Sequence, residues 1–125
     1  MKKIISTPNA PAAVGPYSQA VEINGTLYIS GQIPLNPETG QIQGKDISEQ
    51  TRQVMKNIGA ILYAAGMDYK NVVKSTCILH DMNDFTGMND VYSSYYTEDT
   101  PARAAWGGVD LPRGALLEIE TIAVR

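Results

Sequence analysis

Residues 46–65 carry apolar side chains at Ile47, Val54, Met55, Ile58, Ile61, Leu62 and Ala65, the spacing of one helix face. Asp46 is placed to cap this helix, Glu49 stands three residues on as a capping-box partner, and Gly66 supplies the stop. Only one other segment has this period. Phe85, Met88, Val91, Tyr92 and Tyr95 form the stripe of a second helix, predicted from an Asp84 cap to about Tyr96. Two helices cover one face of a sheet and no more. The chain is therefore held to an α+β or mixed arrangement, with both helices packed on one sheet face and a half-apolar face left open. In a chain of 125 residues an open face of that kind implies oligomerisation.

The remaining elements read as short strands. Residues 21–23 and 27–30 flank Asn24-Gly25, the strongest short hairpin signal, and Gly31 is expected to end the second of them. Residues 72–79 are β-branched and short. Residues 103–109 and 116–124 complete the set, with a short strand at 3–6. Pro8, Pro11 and Pro16 mark residues 4–18 as an extended entry ending at Tyr17, and Pro34, Pro37 and Gly40 mark 33–44 as a loop. The length suits one domain over residues 1–125.

Composition removes several classes of function. At 43% hydrophobic and 18% charged, this is an ordinary globular sequence. A net charge of −3 and a pI near 5.0 give no basic stripe to neutralise phosphates, which weighs against nucleic acid as a partner. No apolar run reaches the roughly 18 residues of a membrane helix, and no secretory signal is visible, so the cytoplasm is the expected location. Cys77 and His80 are each the only one of their kind, so neither an internal disulfide nor a zinc site is expected. Cys77 reads as a buried small hydrophobe and His80 as a polar residue at a strand end.

The chemistry concentrates in the last quarter. Arg103 stands in a small, uncharged run, and Glu118 in the run 116–124. A charge inside a strand is costly unless it is paired or binds something, and arginine is the natural fork for a carboxylate. Alternation puts Arg103 and Ala105 on one strand face and Ala104 and Trp106 on the other, with Trp106 expected toward the helices. Leu117, Ile119, Thr121 and Ala123 form a face suited to pack on the helices, leaving Glu118 and Glu120 on the opposite side, where another subunit could lie. One reading has Arg103 hold a carboxylate while Glu118 handles a water; the alternative is a structural ion pair. Tyr17 could offer its hydroxyl to a ligand or simply pack. Ser30-Gly31 could let a ligand approach backbone N–H groups or could be a turn.

Taken together, Asn9-Ala10-Pro11 with Gly15-Pro16-Tyr17-Ser18-Gln19-Ala20, Ser30-Gly31-Gln32-Ile33-Pro34, Asp84-Phe85 with Asn89 and Tyr92, Pro101-Ala102-Arg103, Leu111-Pro112 and Glu118-Ile119-Glu120 resemble the RidA family, also called YjgF/YER057c/UK114. The blocks span nearly the whole chain in the family's order. The resemblance implies a chorismate-mutase-like α+β fold, assembled as a homotrimer around a central β-barrel, with sites between subunits. It implies a hydrolytic deaminase that turns 2-iminobutanoate or 2-iminopropanoate into the 2-oxo acid and ammonium, with no metal or organic cofactor. Arg103 would clamp the substrate carboxylate, Glu118 would orient and deprotonate water, and Tyr17 would border the cleft. Ser30, Gly31, Asn89 and Ala105 would line it, the last through its backbone. The same cleft could instead serve a regulatory module that binds small carboxylates without turnover. An endoribonuclease role, also attributed to some relatives, finds no paired histidines here. The chain departs from the family pattern at Ala105, where many members have cysteine, and at Trp106-Gly107-Gly108, where substrate choice is expected to differ.

Overall fold

The hairpin around Asn24-Gly25 forms where the sequence places it. Asn24 (φ 50°) and Gly25 (φ 82°) both take the left-handed conformation that a two-residue turn requires. In the computed structural model, which describes residues 1–125, this turn joins β2 (Ala20–Ile23) to β3 (Thr26–Gln32). The other elements are β1 (Lys3–Ile5), α1 (Ile47–Ala64), β4 (Val72–Leu79), α2 (Phe85–Ser93), β5 (Ala102–Trp106) and β6 (Leu117–Val124). All six strands share one sheet in the order β1-β2-β3-β6-β4-β5. Every neighbouring pair is antiparallel except β4 and β5. Each helix is a crossover, α1 between β3 and β4 and α2 between β4 and β5. The expected α+β architecture is therefore present.

The first helix ends as its sequence specifies. Asp46 Oδ1 accepts from Glu49 N–H at 2.8 Å, while the Glu49 carboxylate accepts from Lys45 N–H at 3.1 Å. At the other end Gly66, with φ 74°, lets Met67 N–H reach Leu62 C=O and its own N–H reach Tyr63 C=O. Helix α2 departs from expectation. Asp84 makes no side-chain cap; Asp81 caps a short 3₁₀ turn (Met82–Asp84) that runs into α2, accepting from Asn83 N–H. The helix stops at Ser93, not Tyr96. Ser93 and Ser94 hydroxyls donate to the carbonyls of Asp90 and Val91, a local alternative to continuing the helix. Strand β3 runs through Gly31 to Gln32, with a register irregularity between Ile29 and Gln32, so Gly31 lies inside the strand. Strand β5 stops at Trp106 and not at Val109. Gly107 follows, and Gly108 turns the chain away at φ 78°.

Leu27, Ile29, Leu117, Ile119, Cys77 and Leu79 from the sheet meet Val54, Met55, Ile58, Ile61, Leu62 and Met88 from the helices in one buried core. One polar residue in this core fixes a functional wall. Asn57 is fully buried on α1; it donates to Leu35 C=O (2.9 Å) and accepts from Gln53 (2.9 Å), tying the loop after β3 to the helix. Asn57→Ala leaves those groups without partners in the interior. It is expected to lower stability by about 2–3 kcal/mol, read as a drop in the urea midpoint at constant slope.

The opposite sheet face is uncovered. Ile4, Val21, Tyr28 and Ile122 stand in one cross-strand row, with Trp106 and Val124 elsewhere on the face. Ile4, Tyr28, Trp106 and Val124 are all exposed. The expectation that Trp106 turns toward the helices is overturned. Trp106 is 47% exposed on the open face, and the side facing the helices belongs to Arg103 and Ala105. Alternation along β5 is intact. The assignment failed because Arg103 was placed on the open side with Glu118, whereas small Ala105 fits the helix side and the arginine finds aromatic rings there.

Candidate active site

Strand register separates the two charges that sequence reasoning brought together. Arg103 pairs with Ser75 on β4, and Ser75 pairs with the buried Thr121 on β6, so Arg103 projects on the helix side. Glu118 pairs with Ile78, which pairs with Trp106, so Glu118 projects on the open side. Strand β4 lies between β5 and β6. The two residues are thus two strand spacings (about 9–10 Å) apart and offset by a further three residues, roughly 10 Å, on opposite faces. Arg103 and Glu118 of one chain cannot hold the same small molecule.

Each charge has its own cleft. Around Arg103 lies a cleft of about 360 Å³ lined by Asn89, Tyr92, Ser93, Tyr96, Thr100 and Pro101. The guanidinium is held from three sides. Its Nη1 donates to Asn89 Oδ1 at 2.7 Å, and its central carbon lies 5.0 Å from the Tyr92 ring centre and 5.4 Å from that of Phe85. These contacts use one N–H and the ring faces, so the remaining donors are free to fork onto an anion. Ala105 packs on the core beside this cleft, and as part of an edge strand β5 has only one hydrogen-bonded side.

The second cleft, also about 360 Å³, has Tyr17, Gly31, Glu118 and Arg113 among its lining groups. Its apolar wall is Val14, Ile33, Leu35 and Pro112. Glu118 lies directly over Gly31; a Cβ there would overlap its carboxylate, so any larger residue must push the carboxylate aside. Burial, then the neighbouring Glu120 charge, pushes the Glu118 carboxyl above its ordinary value. A carboxylate shifted this way is a better proton acceptor near neutral pH. The Tyr17 hydroxyl oxygen accepts from Val14 N–H at 3.4 Å, which leaves its proton free to donate into the cleft. Ser30 stands apart from both clefts, its hydroxyl donating to Ser18 C=O at 2.6 Å, where it holds the strand that carries Tyr17's loop.

Two contributors were not singled out from sequence. Arg113, at φ 62°, brings a cation to the Glu118 cleft while donating to Gly40 C=O at 2.9 Å. Tyr92, which the sequence offers as part of the α2 stripe and of the family resemblance but not as a site residue, forms the floor under Arg103. Its coincidence with Asn89 one helix turn earlier was the available signal. Cys77 is fully buried and burial pushes its thiol up to about 11, as suits an inert core residue.

Comparisons with known proteins find relatives over the whole chain. The family model described as Endoribonuclease L-PSP matches residues 7–125. A Mus musculus protein named 2-iminobutanoate/2-iminopropanoate deaminase is 52% identical over 125 residues, covering 100% of this chain and 93% of that protein. The Homo sapiens protein of the same name is 47% identical, covering 100% of this chain and 91% of its own length. Among solved structures, YyfA from Yersinia pestis, described as a member of the conserved Rid protein family, superposes with a TM-score of 0.96 at 48% identity, with 100% of both chains covered. Likeness in sequence and in backbone thus runs through every element that builds the two clefts, and the chain belongs to the RidA family.

Proposed function

We propose that this chain, acting as one domain, is a hydrolase that converts 2-imino acids of the 2-iminobutanoate and 2-iminopropanoate type to 2-oxo acids and ammonium. The observation that carries the reading is the division of labour between the clefts. One presents an oriented arginine, the other a proton-accepting carboxylate, and the substrate class has a carboxylate beside a C=N carbon. The printed names of the mouse and human relatives support the same chemistry.

Because Arg103 and Glu118 of one chain face away from each other, the working site is formed between two copies. The uncovered apolar sheet face supplies the surface for that association, and a homotrimer whose sheets enclose a central barrel buries it. Light scattering is the check on assembly: a mass three times 13.6 kDa is expected. No helix is long and apolar enough to cross a membrane. A cytoplasmic location is part of the proposal.

In this site Arg103 of one copy forks onto the substrate carboxylate, with Asn89 fixing the guanidinium's plane. Glu118 of the neighbouring copy orients a water against the C=N carbon and takes its proton as the C–O bond forms. The tetrahedral carbinolamine then collapses. Starting from the protonated imine, the proton held by Glu118 passes to the amine nitrogen, the C–N bond breaks and ammonia leaves; Glu118 takes the remaining hydroxyl proton as the carbonyl forms and hands it to ammonia, giving ammonium and the free carboxylate base. Tyr17 can donate its free hydroxyl proton to the developing oxygen or nitrogen. Arg103, Glu118 and Tyr17 carry the chemistry, Gly31, Asn89 and the Ala105 backbone shape the site, Ser30 supports it from outside, and no cofactor takes part.

The test is competition for a nascent imine. A threonine dehydratase releases 2-iminobutanoate into semicarbazide, and this protein is expected to reduce the semicarbazone yield in proportion to its concentration. An undiminished yield beside tight binding of 2-oxobutanoate would transfer the reading to a carboxylate-binding regulatory module. Cleavage of RNA by the purified protein would favour the activity printed for the family model, although a net charge of −3 and a single histidine weigh against it. Gly31→Ala provides a local check. The added Cβ displaces the Glu118 carboxylate, and turnover is expected to fall at least tenfold while the oligomer persists.

A further inference from the structure

Behind Arg103 lies a set of polar groups that the reaction does not use. Thr121, Ser75 and Arg103 form one cross-strand row on the helix side of β6, β4 and β5. Tyr92 and Tyr96 roof that row, with ring centres 4.8 Å apart. Four hydroxyls converge there, those of Ser75 (1% exposed), Thr121 (2%), Tyr92 (6%) and Tyr96 (6%), and none finds a hydrogen-bond partner in the protein. Ser75 is near enough to both phenols to act against the effect of burial on them, yet the geometry closes no bond. Burial raises both phenols above their ordinary value, so they stay protonated as neutral donors and acceptors.

Four orphaned hydroxyls in one core region would be a heavy expense, because each buried, unpaired polar group destabilises by about 1–3 kcal/mol. Neutral hydroxyls that each donate and accept are the partners a buried water takes, typically about three per water. With no carboxylate, thiolate or imidazole among them, they offer no charge to a metal ion or to an ionic ligand. Tyr92 and Tyr96 also line the cleft that opens at Arg103, so the hydroxyl set lies directly behind that cleft's wall.

We propose that Ser75, Tyr92, Tyr96 and Thr121 enclose a buried hydration site whose water fixes the Tyr92 ring beneath the Arg103 guanidinium. Tyr92 is then a positioning residue; this second part rests on Arg103 being the carboxylate clamp. The water holds the hydroxyl end of the ring, the ring face holds the guanidinium, and Asn89 sets its rotation.

The sign of a stability change decides the hydration part without any turnover. If Thr121 ligates a water, Thr121→Val removes a partner without changing side-chain shape, and Tm is expected to fall by about 3–5 °C at equal protein concentration. If the hydroxyl is unpaired, the same variant removes a buried penalty and Tm rises, which overturns the site. A high-resolution crystal structure is expected to show solvent density within 3.2 Å of at least three of the hydroxyl oxygens. Direct pairing among the four with no density between them would likewise overturn it. For positioning, Tyr92→Phe keeps the ring and loses only its anchor; KM for the imino acid, or Kd for 2-oxobutanoate, is expected to rise about fivefold with kcat within twofold. An unchanged KM and Kd would refute the positioning role. Because the Kd is measured without turnover, absence of imine hydrolysis would count against the deaminase reading and not against this one.

Discussion

Arg103→Ala is expected to lower kcat/KM for 2-iminobutanoate hydrolysis by about 10³-fold, the loss typical of one partner in a close, charge-assisted pair. The variant should keep its assembly and nearly all its stability. Arg103 lies on the exposed end of its cleft, and its neighbours Phe85, Asn89 and Tyr92 belong to a helix anchored independently by Met88 and Val91 in the interior. Losing an exposed cation–π contact costs only about 0.5–1 kcal/mol. Arg103→Lys separates charge from geometry. A lysine returns the positive charge but not the fork, so recovery should be partial and should appear in KM. Wild-type activity in Arg103→Ala, measured by competition with semicarbazide, would eliminate the clamp.

Features with short sequence range were legible. The periodicity of residues 46–65, the Asn24-Gly25 turn and the alternation that buries Leu117, Ile119, Thr121 and Ala123 all appear as read. Each is fixed by neighbours within a few residues. The insertion of β6 between β3 and β4 is different, because its pairings join residues 38 to 98 positions apart and no local pattern encodes them. That insertion places Arg103 and Glu118 in separate clefts, although a short connection joins their strands. The strand β5 shows the same limit at the level of one residue. Alternation predicted that Arg103 and Trp106 face opposite ways, and they do. Which way each faces depended on α2 presenting Tyr92 and Phe85 to the sheet, so that an arginine found its best neighbours on the inner side. The open face was predicted by counting helices, and it is present, with Ile4, Tyr28, Trp106 and Val124 exposed on it.

Glu118→Gln is expected to reduce kcat by 10²- to 10⁴-fold, the span associated with a positioned acid–base group. Its pH dependence identifies the residue. The wild-type carboxyl is shifted upward by burial and by Glu120, so the acid limb of the rate profile should lie above the ordinary carboxylate range. Activity falls as pH drops through that value because the base becomes protonated. The glutamine variant has no such limb. Stability moves in the other direction. A folded-state pKa raised above the unfolded value contributes stability below the unfolded pKa, and that contribution is lost as pH rises through the folded value. Glutamine mimics the protonated form, so the variant should be no less stable than wild type at neutral pH. Mixing then tests the architecture. Arg103→Ala and Glu118→Gln chains are each inactive alone. Unfolded and refolded together, they should produce sites that take Arg103 from one chain and Glu118 from the other. When each of two contributors is drawn at random from an equal mixture, about one quarter of the sites are intact, so about one quarter of wild-type activity should return. A mixture that stays inactive while forming mixed trimers would place both residues in a site within one chain, which the opposed faces of β5 and β6 do not permit.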